Sequence, residues 1–480
     1  MKVVLFALNS SFVHTNLAVR CIKSNIDKKC SNKHEVTIIE RNIKDKTDEV
    51  INALYLANAE IYGFSCYIFN VKQILFIAKT LKKLLPKCQV VFGGPEVSYD
   101  AQSFLKGNPF IDYVICNEGE DVFLDFLNNG SKERIISSTP FSDFINQDIQ
   151  YSQTDPFAGR IVYYESSRGC PYKCSYCLSS TIQGVRAKSV KKTLGDLYEF
   201  ESFGKEASIV KFVDRTFNYD LARANEILEG LLDDKYTKTY HLEMRPELFD
   251  ENMFALLSRF PKEKLQIEAG IQSTNDETLK SIDRPSNLEK ALRNLKRVRN
   301  LGNINIHCDL IAGLPYDTFN TIAKSYNDVF FVCDQLQLGF LKLLKGSKIR
   351  SQMDEFGYIA NDEAPYDVYC NKYLNYEETF LLKRLAALTD RVKNSIHFKE
   401  TCEYIVKFAT SPFDFFMNLE KYIDIHISRI SQHDLFKFIY DYASKELKKE
   451  MTTDDWNEFV FRFRQDYRTC MNRNASDYFC

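Results

Sequence analysis

Residues 166–180 read SSRGCPYKCSYCLSS and place Cys170, Cys174 and Cys177 within eight positions. Thiols at such spacing hold zinc, hold an iron–sulfur cluster, or are structural cysteines sharing a loop. Structural zinc takes four ligands, usually as two close pairs. No second C-x-x-C accompanies this run; Cys66, Cys88 and Cys116 fall in an earlier segment and Cys308 in a strand-like run. Three thiolates suit a cubane cluster that leaves one iron open for a substrate or cofactor.

The surroundings fit a large intracellular protein. Fourteen cysteines in 480 residues would suggest disulfides in a small secreted chain. Here no export signal is evident, so reduced thiols, metal ligation and a cytoplasmic location are expected. The opening MKVVLFALNSSFVHTN has a short apolar stretch followed at once by polar residues, and reads as a first strand. No run approaches the roughly 18 apolar residues of a membrane span. A formal charge of −2 gives no overall nucleic-acid footprint. The basic run RAKSVKK, 186–192, reads as a solvated helix start before it reads as a phosphate site.

Outward from the cysteines, residues 161–345 alternate strand-like and helix-like segments. The strand candidates are RIVYYESS, SIVKFVD, TYHLEMR, KLQIEAGIQS, INIHCDLIAG and QLQLGFLKL. These βα units predict a partial, open (β/α)6 barrel with its active residues at the carboxyl ends of the strands. Residues 1–140 alternate in the same way, through VVLFAL, EVTIIE, IYGFSCY, QVVFGG and IDYVIC. They predict a doubly wound parallel α/β sheet with its ligand site beyond the strand ends. Residues 141–160 form a linker that retains aromatics. From about residue 350 the strand pattern fades. Leu381, Leu385, Leu388 and Val392, then Leu435, Phe438, Ile439 and Tyr442, recur at helical spacing. Thr452 before Asp455 predicts the cap of a further helix. The expected order is thus 1–140, a linker over 141–160, a barrel over 161–349 and a helical domain over 350–480.

The cysteine run, with an aromatic at Tyr176 and a place after the first barrel strand, resembles the radical S-adenosylmethionine (AdoMet, SAM) superfamily. The resemblance implies a 4Fe–4S cluster on Cys170, Cys174 and Cys177 with AdoMet at the open iron. It further implies an AdoMet pocket from KFVDRTFN (Asp214), LEMRPE (Arg245), IEAGIQSTND (Glu268, Gln272, Ser273) and DLIAGLP (Gly313), with Tyr176 near the adenine. Individually, charged residues at strand ends are more often structural ion pairs.

A doubly wound domain ahead of such a barrel resembles the Rossmann-like cobalamin-binding module of the cobalamin-dependent radical SAM enzymes. Ser65, Gly93 and Gly94 stand where that module holds the nucleotide tail of cobalamin. One departure is plain. The module's D-x-H-x-x-G loop reads NSSFVHTNLA here, with Phe12 for the aspartate and Leu17 for the glycine. A metal-bound imidazole needs an orienting partner, so His14 is not expected to ligate cobalt. The C-terminal part resembles an uncharacterised extension found in a subset of these proteins. Its segment DEAPYDVYCNKY, 362–373, is a packed connection or a cover over the barrel mouth through Tyr366, Tyr369 or Cys370.

The resemblance implies radical methyl transfer to an unactivated carbon or phosphorus of an unidentified small molecule. An electron donor such as flavodoxin or ferredoxin would reduce the cluster. Cobalamin-assisted rearrangement or cyclisation uses the same cofactors, and a non-catalytic cobalamin or redox sensor is the rival from another class. RNA modification would require an appended RNA-binding domain, which the sequence does not show.

Overall fold

The computed structural model describes residues 1–30, 33–137, 142–152, 155, 157–182, 184–204, 206–423 and 427–471. The first sheet is formed by β1 (Lys2–Asn9), β2 (Glu35–Asn42), β3 (Ile61–Ser65), β4 (Gln89–Gly93), β5 (Tyr113–Cys116) and β6 (Ile135–Ser137). Their order is β2-β1-β3-β4-β5-β6, and every pairing is parallel. Residues 17–30 and 120–129 are helices on one face, where Val19, Ile26 and Phe123 pack on Val3 and Leu5. Helices over 47–57 and 71–84 cover the other, where Leu54, Ile74 and Ile77 pack on Val4 and Phe6. Both faces are therefore sealed, as the unbroken apolar strand sequences require. The short β6 was absent from the sequence expectation; three edge residues are too few to show a period.

The chain then builds β7 (Val162–Tyr164), β10 (Ile209–Phe212), β11 (Thr239–Glu243), β12 (Leu265–Gln272), β13 (Asn305–Ala312) and β14 (Gln335–Phe340), with a hairpin of β8 (Ser167–Gly169) and β9 (Val185–Ala187) inserted after β7. The large sheet runs β14-β13-β12-β11-β10-β7, all parallel, and β7 does not pair with β14. It is an open six-stranded half-barrel. Ser189, Asp220, Asp250, Asn287 and Thr318 each cap the helix that follows, their side chains accepting a first-turn N–H. These caps start the outer helices promptly after short loops.

Of the linker, 141, 153–154 and 156 lie outside the described residues. Tyr151 and Phe157 are buried in the barrel core, and Arg20 reaches Asp155 at 2.7 Å. The C-terminal helices span Tyr376–Val392, Pro412–Ile423, Gln432–Tyr442 and Thr453–Met471. Leu385, Leu388 and Val392 are buried in the same apolar core as the barrel. Tyr326 Oη and Thr389 Oγ1, both buried, lie 2.8 Å apart across that junction. Thr452 Oγ1 accepts from Asp455 N at 3.1 Å, the expected cap. Residues 472–480 of the helical region lie outside the described residues. Among the described residues no helix is long and apolar enough to cross a membrane.

Candidate active site

The carboxyl ends of the two sheets face one another across a cavity of about 650 Å³. Its inner end is a slot between the first sheet and the helices over 17–30 and 120–129, walled by Leu5, Val19, Ile22, Val91 and Phe123. Gly63 on β3 keeps that slot open. A Cβ there would stand 2.9 Å from Leu5 Cδ2 and 3.3 Å from the Phe123 ring. The slot opens into a collar of Ser65, Tyr67, Gly93, Gly94 and Asn117–Glu120. Asn16 Nδ2 donates to Ser65 Oγ at 3.3 Å, and the Tyr67 hydroxyl lies beside both. Gly94 has φ of 110°, and a Cβ there would lie 2.5 Å from the Cys66 carbonyl oxygen. Only glycine makes that turn.

The opposite wall comes from the barrel: Glu165 just after β7, Ser167, Arg168 and Gly169 on β8, Leu178 and Thr181 after the cysteines, and Arg215 after β10. The cysteines thus sit in the loop between the hairpin strands, beside the cavity. Cys174 is buried, with Cys170 and Cys177 half-buried. Burial, more than the neighbouring thiols, pushes the Cys170 thiol up, and a positive charge beside the loop favours thiolate. Arg284 supplies one, with Nη1 3.7 Å from Cys174 Sγ. Its other nitrogen donates to the Gly270 carbonyl at a bulge in β12. Among the described residues no three His, Cys, Asp or Glu side chains are close enough to hold one metal ion. A cubane takes each thiolate on a separate iron, so its ligands need not converge.

The residues expected around AdoMet divide. Tyr176 is next to Arg284 and Cys174, and burial pushes its hydroxyl up. Glu268 faces the barrel interior, where Lys211 Nζ reaches it at 2.8 Å and His241 Nε2 at 2.7 Å. Although burial pushes the carboxyl up, His241 and Lys211 together hold Glu268 at about 2. Gln272 follows the bulge at φ of 71°, its buried Oε1 lacking a protein partner. Gly313 has φ of 93° and directs its carbonyl to Tyr358 Oη and Asn371 Nδ2, each at 3.0 Å. Arg245 lies 3.8 Å over the Tyr172 ring and donates to Glu247 and to the Pro285 carbonyl. Two residues are not brought to the open face. Asp214 is fully buried and accepts from Ser166 N, Ser166 Oγ and Ser167 Oγ. Ser273 is fully buried, and its hydroxyl is engaged by Asn275 N and Ser325.

Sequence reasoning missed most of the barrel interior. The inward positions carry Lys211, His241, His307 and Asp309 beside Glu243 and Glu268. Burial, with Glu268 and Glu243 alongside, lifts Asp309 to about 7. Burial and the His241 ring lower His307 to about 4. The signal was available, since a polar residue at every second position of a barrel strand points inward. Arg284 had no such signal.

His14 Nδ1 lies 2.6 Å from Tyr163 Oη on β7, and His14 does not line the cavity. Three of the four cations in the basic run are paired: Arg186 with Glu118, buried Lys188 with Asp196 at 2.9 Å, and Lys192 with Asp148 at 3.0 Å. Tyr366 lies in a packed connection, buried in the core of the first sheet rather than over the barrel mouth.

The donor sets fit the groups the resemblance implies: three thiols in one loop under a guanidinium, and a slot and collar that a side chain at position 63 or 94 would block. Comparison with known proteins agrees. Residues 4–127 match the B12 binding domain model, 164–329 the Radical SAM superfamily and 354–479 a protein family of unknown function, DUF4080. Hopanoid C-3 methylase of Methylococcus capsulatus is 25% identical over 311 residues, covering 59% of this chain and 59% of that protein. The cobalamin-dependent radical SAM methyltransferase TokK of Streptomyces tokunonensis is 24% identical over 310 residues, covering 57% of this chain and 44% of TokK. The matches thus span less than two thirds of either relative. Among solved structures, the cobalamin-dependent S-adenosylmethionine radical enzyme OxsB, with aqua-cobalamin and S-adenosylmethionine bound, superposes with a TM-score of 0.67 at 14% identity, covering 99% of this chain and 84% of OxsB. The radical S-adenosylmethionine methyltransferase TsrM of Kitasatospora setae gives 0.61 at 15% identity, covering 75% and 80%. The chain thus carries a B12 binding domain, then a radical SAM domain, then a DUF4080 region, and it is similar in sequence and fold to cobalamin-dependent radical SAM enzymes.

Proposed function

We propose that this chain is a cobalamin-dependent radical SAM methyltransferase acting on an unactivated carbon or phosphorus of a small molecule. The observation that carries the reading is the shared cavity: one continuous space joins the glycine-lined end of the first sheet to the wall beside the cysteine loop. A cofactor seated in the first domain would thereby face the reactive centre of the second. Cys170, Cys174 and Cys177 would hold a 4Fe–4S cluster, Tyr176 and the ends of β12 and β13 would surround AdoMet, and Ser65, Gly93 and Gly94 would cradle cobalamin. When bound, the cluster and AdoMet supply a carbon-centred radical and cobalamin supplies a methyl group.

The chain's own residues orient and shield. Arg284 supplies positive charge at Cys174. Outward-facing apolar residues of β12 and β13 pack on the helices, leaving the inward charged set to hold a substrate in the barrel. The names of the methylating relatives support methylation over rearrangement. The test is anaerobic reconstitution with iron, sulfide and hydroxocobalamin, followed by incubation with methyl-labelled AdoMet, a reductant and cell extract. Label in a new small molecule is expected. Reductive cleavage of AdoMet with label recovered only in methionine would overturn methylation, and no cleavage at all would overturn the radical reading.

A further inference from the structure

The DUF4080 region has no assigned role, yet its first segment leaves its own helices and inserts into the opposite end of the molecule. Ala364 and Tyr366 are buried in the apolar core of the first sheet, with Phe92, Val97 and Phe104. Tyr366 Oη donates to Glu96 Oε1, a contact spanning 270 positions of sequence. Lys345, just beyond β14, reaches Glu96 Oε1 at 3.1 Å and Asp100 Oδ2 at 3.1 Å. The Arg350 guanidinium lies 4.7 Å over the Tyr366 ring, and Leu343 N donates to the Tyr366 carbonyl at 3.1 Å. Lys72 closes the outside of the contact on Glu363 at 2.7 Å.

Glu96 is 3% exposed. A buried carboxylate is costly unless paired, and an apolar residue would have sealed this core without that cost. What the pair supplies is position. Glu96 belongs to the turn Pro95–Ser98, directly after Gly93 and Gly94, and its N–H donates to the Cys66 carbonyl at 3.4 Å. Pro95, Ser98 and Tyr99 of the same stretch line the cavity. The glycine turn is thus held from behind by a tyrosine of the DUF4080 region and a lysine just beyond the last barrel strand.

We infer that Tyr366, Lys345 and Glu96 form a strap that positions the Gly93–Tyr99 wall of the cobalamin cradle, making the DUF4080 region part of that site. The inference rests on the cobalamin reading above. These are positioning residues, since none is expected to touch the reacting atoms.

The test uses the full chain with its cluster reconstituted and hydroxocobalamin titrated by absorbance. Tyr366→Phe keeps the ring and removes only the bond to Glu96. Its dissociation constant should weaken by about tenfold or more, the effect of losing one hydrogen bond to a charged group. Iron content and AdoMet binding should not change. Lys345→Met should weaken cobalamin in the same way, and Lys345→Arg, which keeps the charge, should restore it. Binding within about twofold of wild type in Tyr366→Phe would overturn the strap. So would parallel loss of cluster and cobalamin, which would reduce the contact to a general fold contribution. A wild-type chain that binds no cobalamin would overturn the cobalamin reading and the strap with it.

Discussion

The two parallel sheets have similar sequences of alternating elements and opposite interiors. In the first, β1 is buried along nearly its whole length because helices cover both faces. In the second, β12 and β13 alternate strictly between buried and half-buried positions, since helices cover only the outer face. Closure on two sides leaves the first sheet only the slot that Gly63 keeps open and the strand ends beyond it, so its cavity runs from that slot to the collar. Closure on one side leaves the second an inner surface that its sequence fills with Lys211, His241, Glu243, Glu268, His307 and Asp309. The first domain can offer shape and backbone; the second can offer charge. Experiments that perturb each domain separately can break that division.

The largest effect is expected at the cysteines. Replacing Cys170, Cys174 and Cys177 together by alanine should remove the iron–sulfur absorption completely and abolish AdoMet cleavage. Cobalamin binding should persist, since its cradle is made by the other sheet. Retention of a full complement of iron in that variant would sink the cluster assignment.

The converse belongs to the glycine turn. Gly94→Ala forces a side chain against the Cys66 carbonyl at a φ of 110°. Strain of about 1–3 kcal/mol is expected, released by distorting the turn. Cobalamin affinity should fall by about one to two orders of magnitude. Iron content and the barrel's AdoMet affinity should stay at wild-type levels. Equal loss of cluster and cobalamin would show that the two sites are not separable in the way the sheets suggest.

What the sequence disclosed follows the same physical line. The strands of both sheets could be read because each is a short apolar run with a local period, and the cysteine run because its three members are close in sequence. The three-residue β6 offered no period. Gly63 was legible and overlooked, since a glycine inside a strand signals a close approach. Asp214 and Ser273 sit correctly at strand ends, but their hydroxyl and amide partners are side chains and loops that only the folded chain assembles. Arg284 meets Cys174 across 110 positions, and Tyr366 meets Glu96 across 270. Such pairings depend on how domains dock, and no local pattern carries them.

Smaller, and specific to the charged interior, is a pH effect on stability. Asp309 is held at about 7 by burial and by the Glu268 and Glu243 carboxyls. An unfolded aspartate titrates near 4. Between those values the folded chain keeps a proton that the unfolded chain has released, so this group's contribution declines as pH rises from about 4 to about 7. Glu268, held at about 2, acts oppositely, contributing above about 4 and losing that contribution as pH falls toward 2. Asp309→Asn removes only the first term. The stability of Asp309→Asn relative to wild type should increase as pH rises from about 5 to about 7, reaching a gain of about 1–3 kcal/mol at the upper end. A difference between variant and wild type that does not change across this range would contradict the assignment.

The smallest expected effect is the most specific. His14→Ala should leave the electron-spin resonance spectrum of the cob(II)alamin form unchanged, with no nitrogen superhyperfine splitting before or after. A lower axial histidine needs a ring nitrogen aimed into the cradle and a partner that orients the ring. Here Nδ1 is committed to Tyr163 Oη at 2.6 Å, on a barrel strand, and the side chain is absent from the cavity wall. Burial and the Lys211 charge hold the imidazole below its ordinary range. The position of the missing aspartate is taken by Phe12, which packs under the Arg160 guanidinium at 4.7 Å. The position of the missing glycine is taken by Leu17, which lines the cavity. The loop therefore ties the first domain to the barrel, with Ile161 N donating to the Val13 carbonyl at 2.8 Å. Losing His14 should cost roughly 1 kcal/mol of stability, the worth of one such hydrogen bond, and nothing at cobalt. A nitrogen splitting in the wild-type spectrum that disappears in His14→Ala would show that the loop turns its histidine to the metal after all.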